Sequence, residues 1–316
     1  MTTEVSEPNS VRFRPQTGPS QASLAVWMLA PAILFIVLLI GFPLGLAVYY
    51  SLSNVTTGGS QVTLVGFDHF RNLIGDPTFR GALGNTFLFT FGSLVIMLIL
   101  ATIQAELLIR PFRGKWLVRF LILLPWTAPA ALAVIGWLWM FDSVFSPIDW
   151  LLRQLGLLGQ PGAPLGVLPN LYWLGHPTLA FVSVILVNVW RMLPLATVIV
   201  LAGLNSIPPE LFEQARVDRA GYFRRLFQIT LPLLSPILLV AILFAFVFTF
   251  SDMIVIYILT RGGPANSTQV LSSLAFFTGI AGGNLGRGAA IALFLFPVLA
   301  GVSALLLAMI RRSEVA

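Results

Sequence analysis

Between Asn205 and Pro232 the chain reads NSIPPELFEQARVDRAGYFRRLFQITLP, and the text on both sides is almost wholly apolar. The stretch carries the acids Glu210, Glu213 and Asp218 and the arginines Arg216, Arg219, Arg224 and Arg225. Such a density of charge belongs in water or against a soluble partner, because moving one charge to the centre of a bilayer costs about 2.5–3.5 kcal/mol. The same cost makes each polar residue inside the apolar runs a candidate for function: Asn188, Arg191, Ser251 and Asp252, and Glu106 with Arg110 one turn on. Covalent and metal chemistry are poorly served. The chain has no cysteine, and its two histidines, His69 and His176, stand far apart in loop-like text. The phosphate-cradling pattern GxxxxGK[ST] is missing, since Gly114-Lys115 is followed by Trp116, so the chain does not itself read as an ATPase.

The elements that must position these residues are set by composition. Of 316 residues, 57% are hydrophobic and 9% charged, where a soluble domain carries about 25% charge. Most of the chain therefore has no aqueous surface to cover, and it reads as an all-α integral membrane protein. The sequence pI near 10.5 does not indicate nucleic acid. The basic residues cluster at the ends of apolar runs, which is the topological pattern of membrane proteins.

Six spans follow from the apolar runs, at about 24–52, 83–108, 120–141, 178–204, 233–259 and 287–310. Residues 1–22 read as a polar tail, with the membrane-spanning body at 23–312 and the polar loop 205–232 inside it. Gly41 and Gly45 have GxxxG spacing in the first span, and Pro43 between them favours a kink. Pro125 and Pro129 bend the third span. In the long loop that follows, Ile148 to Leu158 suits a short amphipathic helix at the membrane interface. The apolar middle of loop 260–286 suits partial re-entry. Twelve Lys and Arg residues lie on the side holding both termini and the polar loop, against five on the other, which makes the first side cytoplasmic.

The polar loop itself is helix-compatible. Pro208 and Pro209 suit a first turn with Ser206 as N-cap, and Glu210 and Glu213 sit where the helix dipole favours acids. Gly221 offers the break before a second short helix, and Pro232 marks entry to the fifth span.

At this point a resemblance becomes specific. Glu213-Gln214-Ala215, then Arg219, then Ile229-Thr230-Leu231-Pro232 resemble the EAA loop of permease subunits of binding-protein-dependent ABC importers. That pattern has E-A-A, a glycine four residues after the second alanine and, past nine intervening residues, I-x-L-P. Gln214 stands for the middle alanine and Arg219 for the glycine, with Gly221 two residues later. APAILFIVLLIGFPLGLAVYYSL, FDHFRNLIGDPTFRGALGNTFLF, VNVWRMLPLATVIVLAGLNSIP and YILTRGGPANSTQVL are similar to segments of carbohydrate-uptake permeases, of the first-subunit type that serves maltose and glycerol phosphate.

The resemblance implies the type I ABC importer permease fold, a bacterial or archaeal inner-membrane location, and a cytoplasmic coupling helix. It also implies a second permease subunit, an ATPase dimer holding ATP and magnesium, an extracytoplasmic substrate-binding protein, and surrounding lipid. It assigns ATPase coupling to Glu213, Gln214, Ala215, Asp218, Arg219, Gly221 and Pro232, with Glu213 and Ala215 in contact and Gly221 at the turn. The substrate path falls to Asn188, Ser251 and Asp252. Asp252 has two readings, a pore group accepting hydrogen bonds from sugar hydroxyls or a buried structural pair. The implied cargo is a di- or oligosaccharide, with glycerol phosphate or a polyol as the alternative. A membrane-embedded enzyme needs clustered acids or histidines, and an ion-coupled transporter favours inverted repeats and buried ionisable groups; the sequence offers neither pattern.

Overall fold

Apolar runs bounded by prolines become helices whose ends fall where proline or a polar cap dictates. The computed structural model describes residues 21–59 and 61–313, and the polar tail expected at 1–22 lies outside this range except for its last two residues. The chain forms two units, the first ending at Leu46 and the second beginning at Ala47. In the first, α1 (Gln21–Ile36) passes through a π turn at Val37–Gly41 into the start of α2 (Phe42–Ser51), within which the boundary falls. The irregularity sits just ahead of Pro43, where the missing N–H breaks the regular ladder. Its large apolar side chains, such as Trp27 and Phe42, are exposed, as a lipid-facing helix requires.

A short hairpin pairs Ser53–Asn54 with Thr63–Leu64 and leads to α3 (Asp68–Gly75). Helix α4 (Pro77–Ile109) starts on a good cap: Asp76 accepts the Thr78 N–H at 2.8 Å, and Pro77 takes the first helical position. It packs along α8 (Pro177–Ser206) through a core of small and flexible residues, among them Met97, Ala101, Ala105, Met192, Ala196 and Val200. Small side chains let two membrane helices approach closely.

The third span is not one bent helix. Helices α5 (Lys115–Thr127) and α6 (Ala130–Met140) meet at 99°. Ala128 is extended, with ψ 144°, because it precedes Pro129. Helix α7 (Pro147–Gln154), capped by Ser146, overlaps the amphipathic stretch expected at Ile148 to Leu158 but starts one residue earlier and stops four residues short of its end.

Beyond α8 come α9 (Pro209–Val217) and α10 (Tyr222–Arg225), a π turn at Leu226–Thr230, and α11 (Leu231–Phe250). Tyr222 to Phe250 form one helical run of 29 residues, so Pro232 lies inside it and does not mark its entry. The Leu231 N–H reaches back five residues to the Leu226 carbonyl, and this wider turn absorbs the donor that Pro232 lacks. The run ends at Phe250, short of the expected 259; α12 (Ile254–Leu259) follows a break at Ser251–Met253. The apolar middle of the next loop is helical, α13 (Leu271–Phe276) continuing through a π turn to Ala281. It packs on α14 (Leu285–Ser313) at a glycine pair: a Cβ on Gly288 would lie 2.4 Å from the Gly279 Cα.

Candidate functional site

Two clusters sit at opposite ends of the Tyr222–Phe250 helix. The first is the polar loop. Helix α8 runs through Ser206, whose hydroxyl donates to the Gly203 carbonyl at 2.8 Å, so Ser206 is not the N-cap of α9. Ile207 is extended because Pro208 follows it. Helix α9 ends in a Schellman turn: the Ala220 N–H donates to the Ala215 carbonyl at 2.9 Å, and Arg219 takes the left-handed conformation with φ 51°. The turn therefore stays at the position where the family pattern has glycine. Gly221, expected to make it, has φ −64° and open space around its Cβ position.

Glu213, Gln214, Asp218 and Arg219 are exposed. Ala215 is 4% exposed; its small side chain faces inward while its carbonyl serves the turn, so it supports the helix and is no outward contact. Below α9 lies a cavity of about 540 Å³ lined by Glu106, Arg110, Glu213, Tyr222 and Arg225 among others. Across it the Tyr222 hydroxyl donates to Glu106 Oε2 at 2.5 Å. This bond ties the loop to the end of α4. Sequence reasoning paired Glu106 with Arg110 and missed Tyr222, because the two partners stand 116 residues apart.

The second cluster lies where helices break. Asp252 forms an ion pair with Arg191, and both side chains are nearly buried. Arg191 Nη2 also approaches Asn188 Oδ1 at 3.4 Å, and Asn188 Nδ2 donates to Thr249 Oγ1 at 3.3 Å. Asn188 is fully buried. Asp252 Oδ1 accepts the Val255 N–H at 3.2 Å, and its backbone carbonyl accepts from Ser272 Oγ at 2.7 Å. Ser251 is exposed, its hydroxyl donating to the Val247 carbonyl at 2.8 Å. The structure thus joins Asn188 and Asp252 in one network and leaves Ser251 out.

Beside the ion pair is a cavity of about 210 Å³ lined by Trp126, Ala128, Ala130, Arg191, Met192, Phe248 and Asp252. The α5–α6 break and the α11–α12 break meet here. Non-helical backbone at membrane depth is tolerated where it is buried in protein or lines a cavity. Trp126 and Phe248 stand edge to face, with centroids 5.9 Å apart. Trp126 was not among the sequence candidates for the path; its place just before the Ala128-Pro129 break was the available signal. Asn188 holds helices together across a buried hydrogen bond, and Asp252 is both half of a buried pair and part of a cavity wall. Among the described residues, no group of three or more His, Cys, Asp and Glu could hold a metal ion.

Comparison with known proteins agrees with this architecture. The family model for binding-protein-dependent transport system inner membrane components matches residues 97–314. The sulfoquinovosyl glycerol transport system permease protein SmoG of Agrobacterium fabrum is 32% identical over 292 residues, covering 92% of this chain and 91% of the relative. The trehalose/maltose transport system permease protein MalF of Thermococcus litoralis is 30% identical over 277 residues, covering 87% and 90%. The sn-glycerol-3-phosphate transport system permease protein UgpA of Pectobacterium atrosepticum is 28% identical over 289 residues, covering 90% and 93%. Among solved structures, a bacterial ABC transporter involved in import of the acidic polysaccharide alginate superposes with a TM-score of 0.75 at 21% identity, over 92% of this chain and 96% of that one. That likeness shows a shared fold.

Proposed function

The chain belongs to the binding-protein-dependent transport system inner membrane components, and from this premise we propose that it carries a sugar or sugar glycoside as half of a translocation path driven by a separate ATPase. It is a permease subunit of an ABC importer and not itself an enzyme. The pairing with a second permease, the ATPase dimer holding ATP and magnesium, and the cytoplasmic placement of both termini belong to the proposal.

The observation that carries it is the loop between α8 and α11. It presents Glu213 and Gln214 from a short helix, and Asp218 and Arg219 from the turn that ends it, outward at one end of the bundle. From this loop a single helical run of 29 residues, about 43 Å long at 1.5 Å per residue, leads to the break beside Asp252. The geometry suits a lever. Closure of the ATPase pushes α9, the run transmits the push, and the cavity between the two helix breaks changes its opening. The Tyr222–Glu106 bond carries the same push into α4.

The cavity wall suits a polyhydroxylated solute. Asp252 offers carboxylate oxygens to hydroxyl groups, Arg191 Nε is a buried donor without a partner, and Trp126 offers a ring face. A volume of about 210 Å³ holds one sugar ring, and the second subunit supplies the rest of the path. The names of the relatives support this class, since sulfoquinovosyl glycerol, trehalose, maltose and glycerol phosphate all carry several hydroxyls or acid groups.

The test uses the lack of native cysteine. A photoreactive label on Gln214→Cys in the assembled importer is expected to cross-link to the ATPase subunit. Cross-links to lipid or to the permeases alone would overturn the proposal.

A further inference from the structure

The segment between α6 and α8 is folded inside out for a protein in water. Its charged side chains are held in an internal hydrogen-bond network, while Gln154 and Gln160 are exposed. Asp149 is fully buried, its carboxylate accepting the Leu171 N–H at 3.0 Å and the Trp173 Nε1–H at 2.9 Å. Arg153 donates to Asn170 Oδ1 at 2.5 Å and to the Pro169 carbonyl, and Asn170 Nδ2 donates to the Ser143 and Val144 carbonyls at 3.0 and 3.2 Å. These bonds fix the loop. Most of its large apolar side chains point outward: Phe145 is 84% exposed, and Val144, Trp150, Leu151, Leu155 and Val167 are each more than half exposed, while Leu158 is buried.

Charge tells what covers this face. From Val144 to Leu168 the only charged residues are Asp149 and Arg153, and both are held by the internal network. Surfaces that meet soluble proteins carry a polar, charged rim. An outward set of tryptophan, phenylalanine and branched aliphatics without charge is the composition of the bilayer interface. The face is also continuous with a lipid-type surface, since it follows directly on α6, whose Leu132 and Trp139 are 66% and 76% exposed. By connectivity the segment joins the end of α6 to the start of α8, at the end of α8 opposite the polar loop.

We propose that the apolar face of residues 144–168, carrying Phe145, Trp150 and Leu155, is a membrane-interface anchor, seated in the headgroup and upper acyl region of the leaflet opposite the polar loop. The anchor holds the outer end of α6 at a fixed depth, so the 99° bend between α5 and α6 pivots about a point tied to the bilayer.

Single cysteines are unique labelling sites in this chain. An environment-sensitive fluorophore is placed on Phe145→Cys, Trp150→Cys and Leu155→Cys, with the exposed Gln160→Cys as an aqueous control. The complete importer is reconstituted in phosphatidylethanolamine–phosphatidylglycerol vesicles. Lipids carrying a nitroxide near the headgroup are expected to quench the first three labels, and iodide to quench only the control. Iodide quenching of the first three labels would overturn the anchor. So would resistance to both quenchers, which would mean that another protein covers the face.

Discussion

Loss of either partner of the Arg191–Asp252 pair is expected to cost far more than loss of both. The pair joins α8 to the break after α11, and the side chains are 12% and 5% exposed. Asp252→Asn leaves the guanidinium facing only Asn188 at 3.4 Å, and Arg191→Gln leaves the carboxylate facing only the Val255 N–H at 3.2 Å. Stranding one charge of a buried pair costs about 3–5 kcal/mol, whereas removing both is often close to neutral. A unit of this size loses about 2–4 °C of midpoint per kcal/mol, which puts each single variant on the order of 10 °C below the parent. The assay is the temperature at which half of the purified importer remains soluble after heating. The double variant Arg191→Gln with Asp252→Asn is expected to recover most of that loss while transporting poorly, because its cavity wall lacks the carboxylate. If the double variant is as unstable as the sum of the singles, the two groups do not act as a pair. If it transports normally, Asp252 has no part in the path.

Three further outcomes follow from the geometry. Arg219→Gly relieves a left-handed penalty of about 1–2 kcal/mol but adds unfolded-chain freedom of roughly half that size, so transport and stability should stay near the parent level; Arg219→Pro cannot adopt the positive φ and should abolish coupling, while Gly221→Ala should be silent in coupled transport assays. Tyr222→Phe removes the tie to Glu106 while keeping the ring, and it should lower the solute transported per ATP hydrolysed, measured in vesicles; an unchanged ratio would remove α4 from the transmission route. Gly288→Ala forces a methyl into the backbone of Gly279 and should destabilise the importer by about 1–3 kcal/mol, read as a lower thermal midpoint with Gly301→Ala, which meets open space, as the silent control.

The spans were legible because hydropathy reports directly on burial in lipid, and the polar loop because charge is so costly there. The ends of elements were harder. FTFSDMIVIYIL stays apolar through the break at Ser251–Met253, so a hydropathy reading carries the fifth span to 259. The better signal was Asp252 itself, an acid placed to accept the Val255 N–H at the start of α12. Proline foretold the break at Ala128-Pro129, but the 99° angle comes from packing of Val134 and Phe141 with Val184, Val187 and Val255, which no local pattern encodes. The turn after α9 was assigned to Gly221 on residue type. The structure places it at Arg219 because the Ala220–Ala215 hydrogen bond sets the register, and a local composition rule yields to that register. Asn188 and Asp252 were found by their cost in a membrane, whereas the Tyr222–Glu106 tie was hidden by its separation in sequence.

The decisive measurement is ATP hydrolysis and solute uptake by the assembled importer carrying Glu213→Lys. Glu213 is exposed on α9, so the reversal should leave membrane insertion intact while uptake-linked hydrolysis is lost. An assembled importer with this substitution that hydrolyses ATP and takes up solute at parental rates would contradict the assignment of the loop as the coupling element.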